Sequence, residues 1–134
     1  MTQRISFPHL LMTLSACLMA VGGVLLSFLP AELLNGLEAQ ALPSTVLLLQ
    51  AYGAALLGFA MVNWMSRGMT FGGIYGRPLV VGNLMHFGAG GIGALKLLLA
   101  HPETAKLWPL GGSYVVFAVC FAVVMIRPPR PKGA

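Results

Sequence analysis

The segment 80–100, VVGNLMHFGAGGIGALKLLLA, holds the residues whose types and spacing come closest to a chemical motif. Gly88, Gly90 and Gly93 match G-x-G-x-x-G, the pattern of a turn between a strand and a helix that holds the phosphates of a dinucleotide. Such a site also needs an acidic residue about 20 residues further on to bind the ribose. Because the next acidic residue, Glu103, follows Gly93 by only ten residues, we predict that no nucleotide binds here.

A histidine inside the same apolar segment is the second chemical feature. His86 could carry a proton or contact a solute, because histidine titrates near neutral pH, and Asn83 lies about one helical turn away. The alternative is a neutral imidazole that hydrogen-bonds to Asn63 or Gln50 of a neighbouring helix, since such bonds commonly join membrane helices. We favour this structural interpretation and take these four residues as the candidate polar site.

Other catalytic or metal-binding patterns are missing from the sequence. The two cysteines, Cys17 and Cys120, do not form a C-x-x-C pair, and we interpret both as small packing residues. Histidine, cysteine and acidic residues do not cluster with the spacing of metal ligands, and no nucleophile lies beside a base. We therefore predict a protein that is not an enzyme and that has no cofactor and no metal.

The elements that must position these residues are long apolar runs. The 134 residues are 57% hydrophobic and 8% charged, whereas soluble domains carry about 25% charged residues. A bilayer core of roughly 30 Å needs about 20 helical residues, and four runs reach that length: 10–29, 46–65, 79–100 and 107–126. We predict an all-α transmembrane four-helix bundle that forms a single domain over residues 1–134.

The segments between and after these runs have distinct compositions. After Pro30, leucines on one helical face and Glu32 and Glu38 on the other predict a short amphipathic helix at the outer membrane interface. Pro43 is expected to end that helix, with Ser44 and Thr45 as caps of the second span. The glycine-rich connector 66–78 is expected to be mobile, and the tail 127–134 disordered.

The distribution of charge predicts the orientation of the chain. Basic residues accumulate on the cytoplasmic side of membrane proteins because they resist translocation. Six of them lie in the two termini or between the second and third runs, whereas all three acidic residues lie in the other two loops. We therefore predict a multi-pass protein of the bacterial inner membrane with both termini in the cytoplasm. The six are Arg4, Arg67, Arg77, Arg127, Arg130 and Lys132.

Small residues four positions apart indicate where the helices contact one another. Lipid offers little hydrophobic drive for helix association, so small residues are used to bring backbones close. On the third run, Gly82, His86, Ala89, Gly93 and Lys96 fall within about 80° of one another, and the small residues of this face are expected to be helix contacts. Lys96 lies near the outer end, where its ammonium is expected to reach the headgroups. The predicted small pairs are Gly23 with Ser27, Ala54 with Gly58, Ala89 with Gly93, and Gly90 with Ala94.

The segment 51–64, AYGAALLGFAMVNW, and the arginine that follows carry a resemblance to a known group. The form YGAALLG…NW…R before a glycine-rich third run resembles small uncharacterised bacterial four-span membrane proteins, loosely DoxX-like. The resemblance implies a membrane location and four helices, and no established activity. It rests on Tyr52, Gly53, Gly58, Asn63, Trp64 and Arg67.

Three functions stay open at this stage. The first is an accessory or scaffold subunit without enzymatic activity, or a homo-oligomer, whose partners are the lipid bilayer and other membrane subunits and not nucleic acid. The second is a small-solute or proton transporter or channel that uses Asn83 and His86. The third, suggested only by the DoxX-like resemblance, is a quinone-linked redox subunit. We favour the first.

Overall fold

The described residues of the computed structural model, 6–69, 74 and 76–127, form helices and no strands. The α-helices are α1 (Phe7–Phe28), α2 (Pro30–Gly36), α3 (Pro43–Ser66), α4 (Gly76–Ala100) and α5 (Trp108–Ile126). A 3-10 helix, Pro102–Leu107, precedes α5. The predicted all-α class with four long apolar helices is confirmed, and the ends of these helices lie within three residues of the predicted runs.

Four of these helices are long and apolar enough to cross a membrane. The chain is therefore a multi-pass membrane protein, as predicted. The choice of the bacterial inner membrane and the direction of insertion remain predictions. Residues 70–73, 75 and 128–134 lie outside the described residues. The predicted mobility of the connector 66–78 and the predicted disorder of the tail 127–134 therefore fall largely on residues that are not described.

The first loop contains the predicted short helix, with one correction. In α2 the side chain of Leu34 is buried and that of Glu32 is exposed, as an amphipathic helix requires. Pro43 was predicted to end this helix, but α2 ends at Gly36 and Pro43 begins α3. Proline suits the first helical position because its fixed φ is already helical and its missing N–H has no partner there. Ser44 and Thr45 lie inside α3, which has no side-chain cap.

Two compact units divide the described chain. The first unit contains α1 from Met12 onward, with α2 and α3; the second contains residues 6–11, α4, the 3-10 helix and α5. The predicted single domain stays a prediction.

In the first unit, α1 and α3 approach one another at two glycines. A Cβ atom added at Gly23 would lie 2.9 Å from the Gly53 carbonyl oxygen, and one added at Gly53 would lie 2.9 Å from the Gly23 carbonyl oxygen. Real Cβ atoms essentially never come closer than 3.0 Å, so only glycine allows this backbone contact. An added Cβ at Gly53 would also lie 2.5 Å from Ser27 Oγ, so the predicted contact role of Gly23 and Ser27 is confirmed.

The small residues predicted for α3 lie at the wrong helical position. Ala54 and Gly58 are exposed, and a Cβ added at Gly58 would have no heavy atom within 4 Å. The contact is made one position earlier, at Gly53, because the buried face of α3 is set by Gly53, Leu56, Ala60 and Asn63.

The second unit requires a similar correction for α4. Its buried residues include Val80, Asn83, Phe87, Gly91 and Leu98, a face rotated by about 150° around the helix axis from the predicted one. Our prediction followed the spacing of small residues, whereas the packing of α4 depends on the large side chain of Phe87.

The consequence for the predicted α4 residues is mixed. Gly90 and Ala94 do contact α5, since a Cβ at Gly90 would lie 2.6 Å from Tyr114 and Ala94 lies 3.5 Å from the Cβ position of Gly111. Ala89 and Gly93 are exposed, so the structure does not show the predicted packing at these two positions, whereas Gly82 and His86 are half-buried. Cys17 is exposed too, contrary to its predicted role, and Cys120 is half-buried.

Candidate functional site

The candidate site of the second unit is centred on a hydrogen bond between α4 and α5. Tyr114 Oη lies 3.2 Å from His86 Nε2, and both side chains are half-buried. Either the tyrosine hydroxyl donates to the ring nitrogen or the ring N–H donates to the hydroxyl, depending on the tautomer. The structure therefore gives His86 a partner, Tyr114, that the sequence interpretation did not name; the expected bond to Asn63 or Gln50 stays a prediction.

An aromatic cluster surrounds this bond. Tyr114, Phe117 and Phe121 lie on one face of α5 at positions i, i+3 and i+7, and all three rings contact Phe87 of α4. The centroid of Phe87 lies 5.2 Å from that of Tyr114, 4.8 Å from that of Phe117 and 5.8 Å from that of Phe121. Phe87 and Phe121 are fully buried, so the cluster forms the core of this helix pair.

The same cluster explains why position 90 is a glycine. A Cβ at this position would lie 2.6 Å and 2.7 Å from two ring atoms of Tyr114, so a larger residue would displace the ring from His86. At Gly88 and Gly93, the other two glycines of the G-x-G-x-x-G match, an added Cβ would meet nothing within 4 Å. The motif is thus part of a membrane helix, and its central glycine makes room for a tyrosine.

Asn83 lies on the same helix as His86 and is fully buried. Its Nδ2 donates a hydrogen bond to the Leu79 carbonyl oxygen, 2.9 Å away in the preceding turn. The side chain therefore satisfies part of its hydrogen-bonding capacity within α4.

Asn63 is the centre of a polar network in the first unit. Its side chain is fully buried, and its Nδ2 donates to Ser15 Oγ at 3.0 Å and to the sulfur of Met19 at 3.6 Å. Ser15, also fully buried, donates in turn to the Met12 carbonyl oxygen at 3.0 Å. This network joins α3 to α1 through buried hydrogen bonds.

Gln50 takes a weaker part in the same helix pair. Its exposed Nε2 donates to the Ser27 carbonyl oxygen over 3.5 Å, the long limit of a hydrogen bond. Of the four residues predicted as one polar site, Asn63 and Gln50 bond to α1, Asn83 bonds within α4, and His86 bonds to α5.

The sequence interpretation missed Tyr114 and Ser15 as partners. The spacing of the three aromatic residues on α5 was a usable signal, because side chains at i, i+3 and i+7 share a helical face. Ser15 carried no such signal, since a lone serine in an apolar run reveals neither its partner nor the neighbouring helix.

In the 3-10 segment before α5, His101 Nδ1 lies 3.0 Å from a carboxylate oxygen of Glu103, and both side chains are exposed. Within the described ranges, no three His, Cys, Asp or Glu side chains are grouped so that they could hold a metal ion.

The helices and the two bonded sites define the class: an all-α, multi-pass membrane protein with hydrogen bonds between its membrane helices. Comparison of the chain with protein-family models, with curated proteins and with solved structures finds no match. The DoxX-like resemblance therefore remains a prediction.

Proposed function

We propose that this protein is an accessory or scaffold subunit of a larger membrane assembly, or a homo-oligomer, and that it has no enzymatic activity. We place it in the bacterial inner membrane with both termini in the cytoplasm, in keeping with its distribution of basic residues. The DoxX-like resemblance is part of this proposal.

The observation that carries the proposal is the network of Asn63, Ser15 and Met12. All three residues are fully buried or nearly so, and the two polar side chains are bonded to protein groups. A transport path needs polar groups that a solute can reach and exchange with, whereas this network occupies its donors in holding α1 against α3. Such interhelical bonds contribute stability, on average about 0.6 kcal/mol each in a measured bundle.

The outward faces of the helices support a partner role. In α3, only 17% of an 18-residue apolar stretch is buried inside the structure. The buried share is also 17% in the fourth candidate span, Pro102–Ile126. The exposed face of α3 includes the small residues Ala54 and Gly58, and that of α4 includes Ala89 and Gly93. In lipid, small residues on an exposed face allow close approach of another helix, so these faces suit contacts with other membrane subunits or further copies of the chain.

Purification from native membranes in a mild detergent tests this proposal. We expect either a partner protein at constant stoichiometry or a particle whose protein mass is a multiple of 14.1 kDa. Light scattering with correction for detergent gives the mass, and intact-mass spectrometry identifies each component. A protein mass of a single chain, with no partner in two different mild detergents, would contradict the proposal.

One observation favours a second candidate, the proton or small-solute path. His86 is a titratable group inside α4, and its bond to Tyr114 joins two groups that can each donate and accept a proton. This candidate requires His86 to exchange a proton during function. The quinone-linked alternative has no comparable support, because it depends on the resemblance alone.

A further inference from the structure

Arg67 and Trp64 form a paired group at the end of α3. The guanidinium carbon of Arg67 lies 3.9 Å from the centroid of the Trp64 ring, which is a cation–π distance. Its Nη1 also donates a 2.6 Å hydrogen bond to the Trp64 carbonyl oxygen. These two contacts fix the guanidinium over the indole at the last turn of a membrane helix.

Among the described residues, no carboxylate side chain forms an ion pair with this arginine. The only acidic residues are Glu32, Glu38 and Glu103. Glu32 and Glu38 precede α3, whose 24 residues are about 36 Å long and cross a hydrocarbon core of roughly 30 Å. Glu103 lies in the 3-10 helix before α5, where its carboxylate oxygen lies 3.0 Å from His101 Nδ1.

The pair retains hydrogen-bond donors for a ligand. A guanidinium has five N–H donors, and the bond to the Trp64 carbonyl uses one of them. The Trp64 side chain is 45% exposed, and its indole N–H makes no hydrogen bond with the described residues. Planar guanidinium groups bind phosphate oxygens with two parallel N–H bonds, and tryptophan N–H groups suit the depth of the lipid headgroups.

We propose that Arg67 and Trp64 form a binding site for the phosphate of an anionic phospholipid headgroup. An anionic lipid fits better than a zwitterionic one, because the choline of a zwitterionic headgroup is repelled by the guanidinium of Arg67. A juxtamembrane basic residue attracts anionic lipid with about 1 kcal/mol, which corresponds to about a fivefold preference. This inference is independent of the proposed accessory role.

Fluorescence quenching by brominated lipids measures this preference directly. The variant Trp108→Phe leaves Trp64 as the single tryptophan. It is reconstituted in phosphatidylcholine vesicles that contain either brominated phosphatidylglycerol or brominated phosphatidylcholine at the same mole fraction. We expect Trp64 to bind phosphatidylglycerol about fivefold better.

Arg67→Gln in this background should reduce the preference to about one, because the guanidinium is lost. Arg77→Gln is the matched control: Arg77 is an exposed arginine in the first turn of α4, and its loss should leave the fivefold preference unchanged. An equal loss in both variants, or an unchanged preference in Arg67→Gln, would overturn the proposal, because the attraction would then be a general property of the basic surface or would not involve Arg67.

Two further arms keep the test decisive. Arg67→Lys retains the charge but not the planar donors, so it should keep less than half of the preference; full preference in this variant would overturn the paired site. If Arg67→Gln fails to fold, as judged by circular dichroism and size-exclusion chromatography, Arg67→Lys carries the test alone.

Inorganic phosphate, added at the same ionic strength as a chloride control, should leave the preference for phosphatidylglycerol unchanged. Its loss in phosphate would mean a site for free phosphate and would contradict the lipid assignment.

Discussion

The two helix pairs are held together by different kinds of contact. In the first unit, Gly23 and Gly53 bring the backbones of α1 and α3 together, and the bond of Asn63 to Ser15 adds a polar link. In the second unit, the ring of Phe87 packs among those of α5, and the polar link of His86 to Tyr114 lies at the edge of the rings. Close backbone contact and the buried amide of Asn63 thus hold the first pair together, whereas aromatic packing holds the second.

The difference indicates which changes each pair tolerates. A contact between backbones cannot accept an added atom, because backbones shift only with the whole helix. A cluster of rings is sensitive instead to the loss of atoms, since a missing ring leaves a cavity that the neighbours fill only in part. We therefore expect the Gly23–Gly53 contact to be sensitive to larger residues and the Phe87 ring cluster to smaller ones.

Removal of the central ring should produce the largest effect. Phe87→Ala is expected to lower the free energy of unfolding by about 3–5 kcal/mol, because a cavity forms and the contacts with three rings are lost. Unfolding in mixed micelles of a mild detergent and dodecyl sulfate measures the change. Phe28→Ala, at a side chain that is 73% exposed, is the control and should change stability little. Equal losses in the two variants would contradict the aromatic core.

A methyl group added at the glycine contact should give the next largest effect. Gly53→Ala is expected to cost about 1–3 kcal/mol, because the new Cβ would meet the Gly23 carbonyl oxygen and Ser27. Gly58→Ala in the same helix has open space and should be neutral or stabilising, since alanine favours helix more than glycine does. The same unfolding assay compares them. If Gly58→Ala were the more damaging, the contact face of α3 would be the one first predicted from the sequence.

The polar link of the first unit should contribute less. Asn63→Leu is expected to cost about 0.6–1.7 kcal/mol, the range for interhelical hydrogen bonds in a membrane bundle. A double-mutant cycle with Ser15→Ala separates the bond between the two side chains from other effects of each substitution. Gln50→Leu, at an exposed side chain with a long bond, should cost close to nothing. A coupling energy of zero between Asn63 and Ser15 would contradict the network.

The sequence predicted the helices far better than their contacts. Length and hydropathy determine where a chain can cross a bilayer, so the four long helices were predictable from 10–29, 46–65, 79–100 and 107–126. Which face of a helix is buried depends on its neighbours. On α3, Gly53 and Gly58 lie about 140° apart around the helix axis, and both residues are small and apolar. The pattern of small residues alone could not decide between them.

The candidate site was predictable only in part for the same reason. Asn63, Asn83 and His86 are polar residues within apolar runs, so their need for partners was evident from the sequence. The partners themselves depend on which helices are adjacent and at what height. Gly90 illustrates the limit: its absence of a side chain is explained by the ring of Tyr114, which lies 24 residues further along the chain and on another helix.

Proton or solute movement through the purified protein tests the central claim, that the polar residues of the membrane helices are structural links. Wild type and His86→Gln are reconstituted in liposomes, a pH gradient is imposed, and flux is followed with a pH-sensitive dye. Glutamine can replace a neutral imidazole as a hydrogen-bond donor and acceptor, but it cannot titrate near neutral pH. We predict equal stability for the two proteins and no flux above that of protein-free liposomes in either. Flux in the wild type that is lost in a well-folded His86→Gln would contradict the claim and favour the proton path.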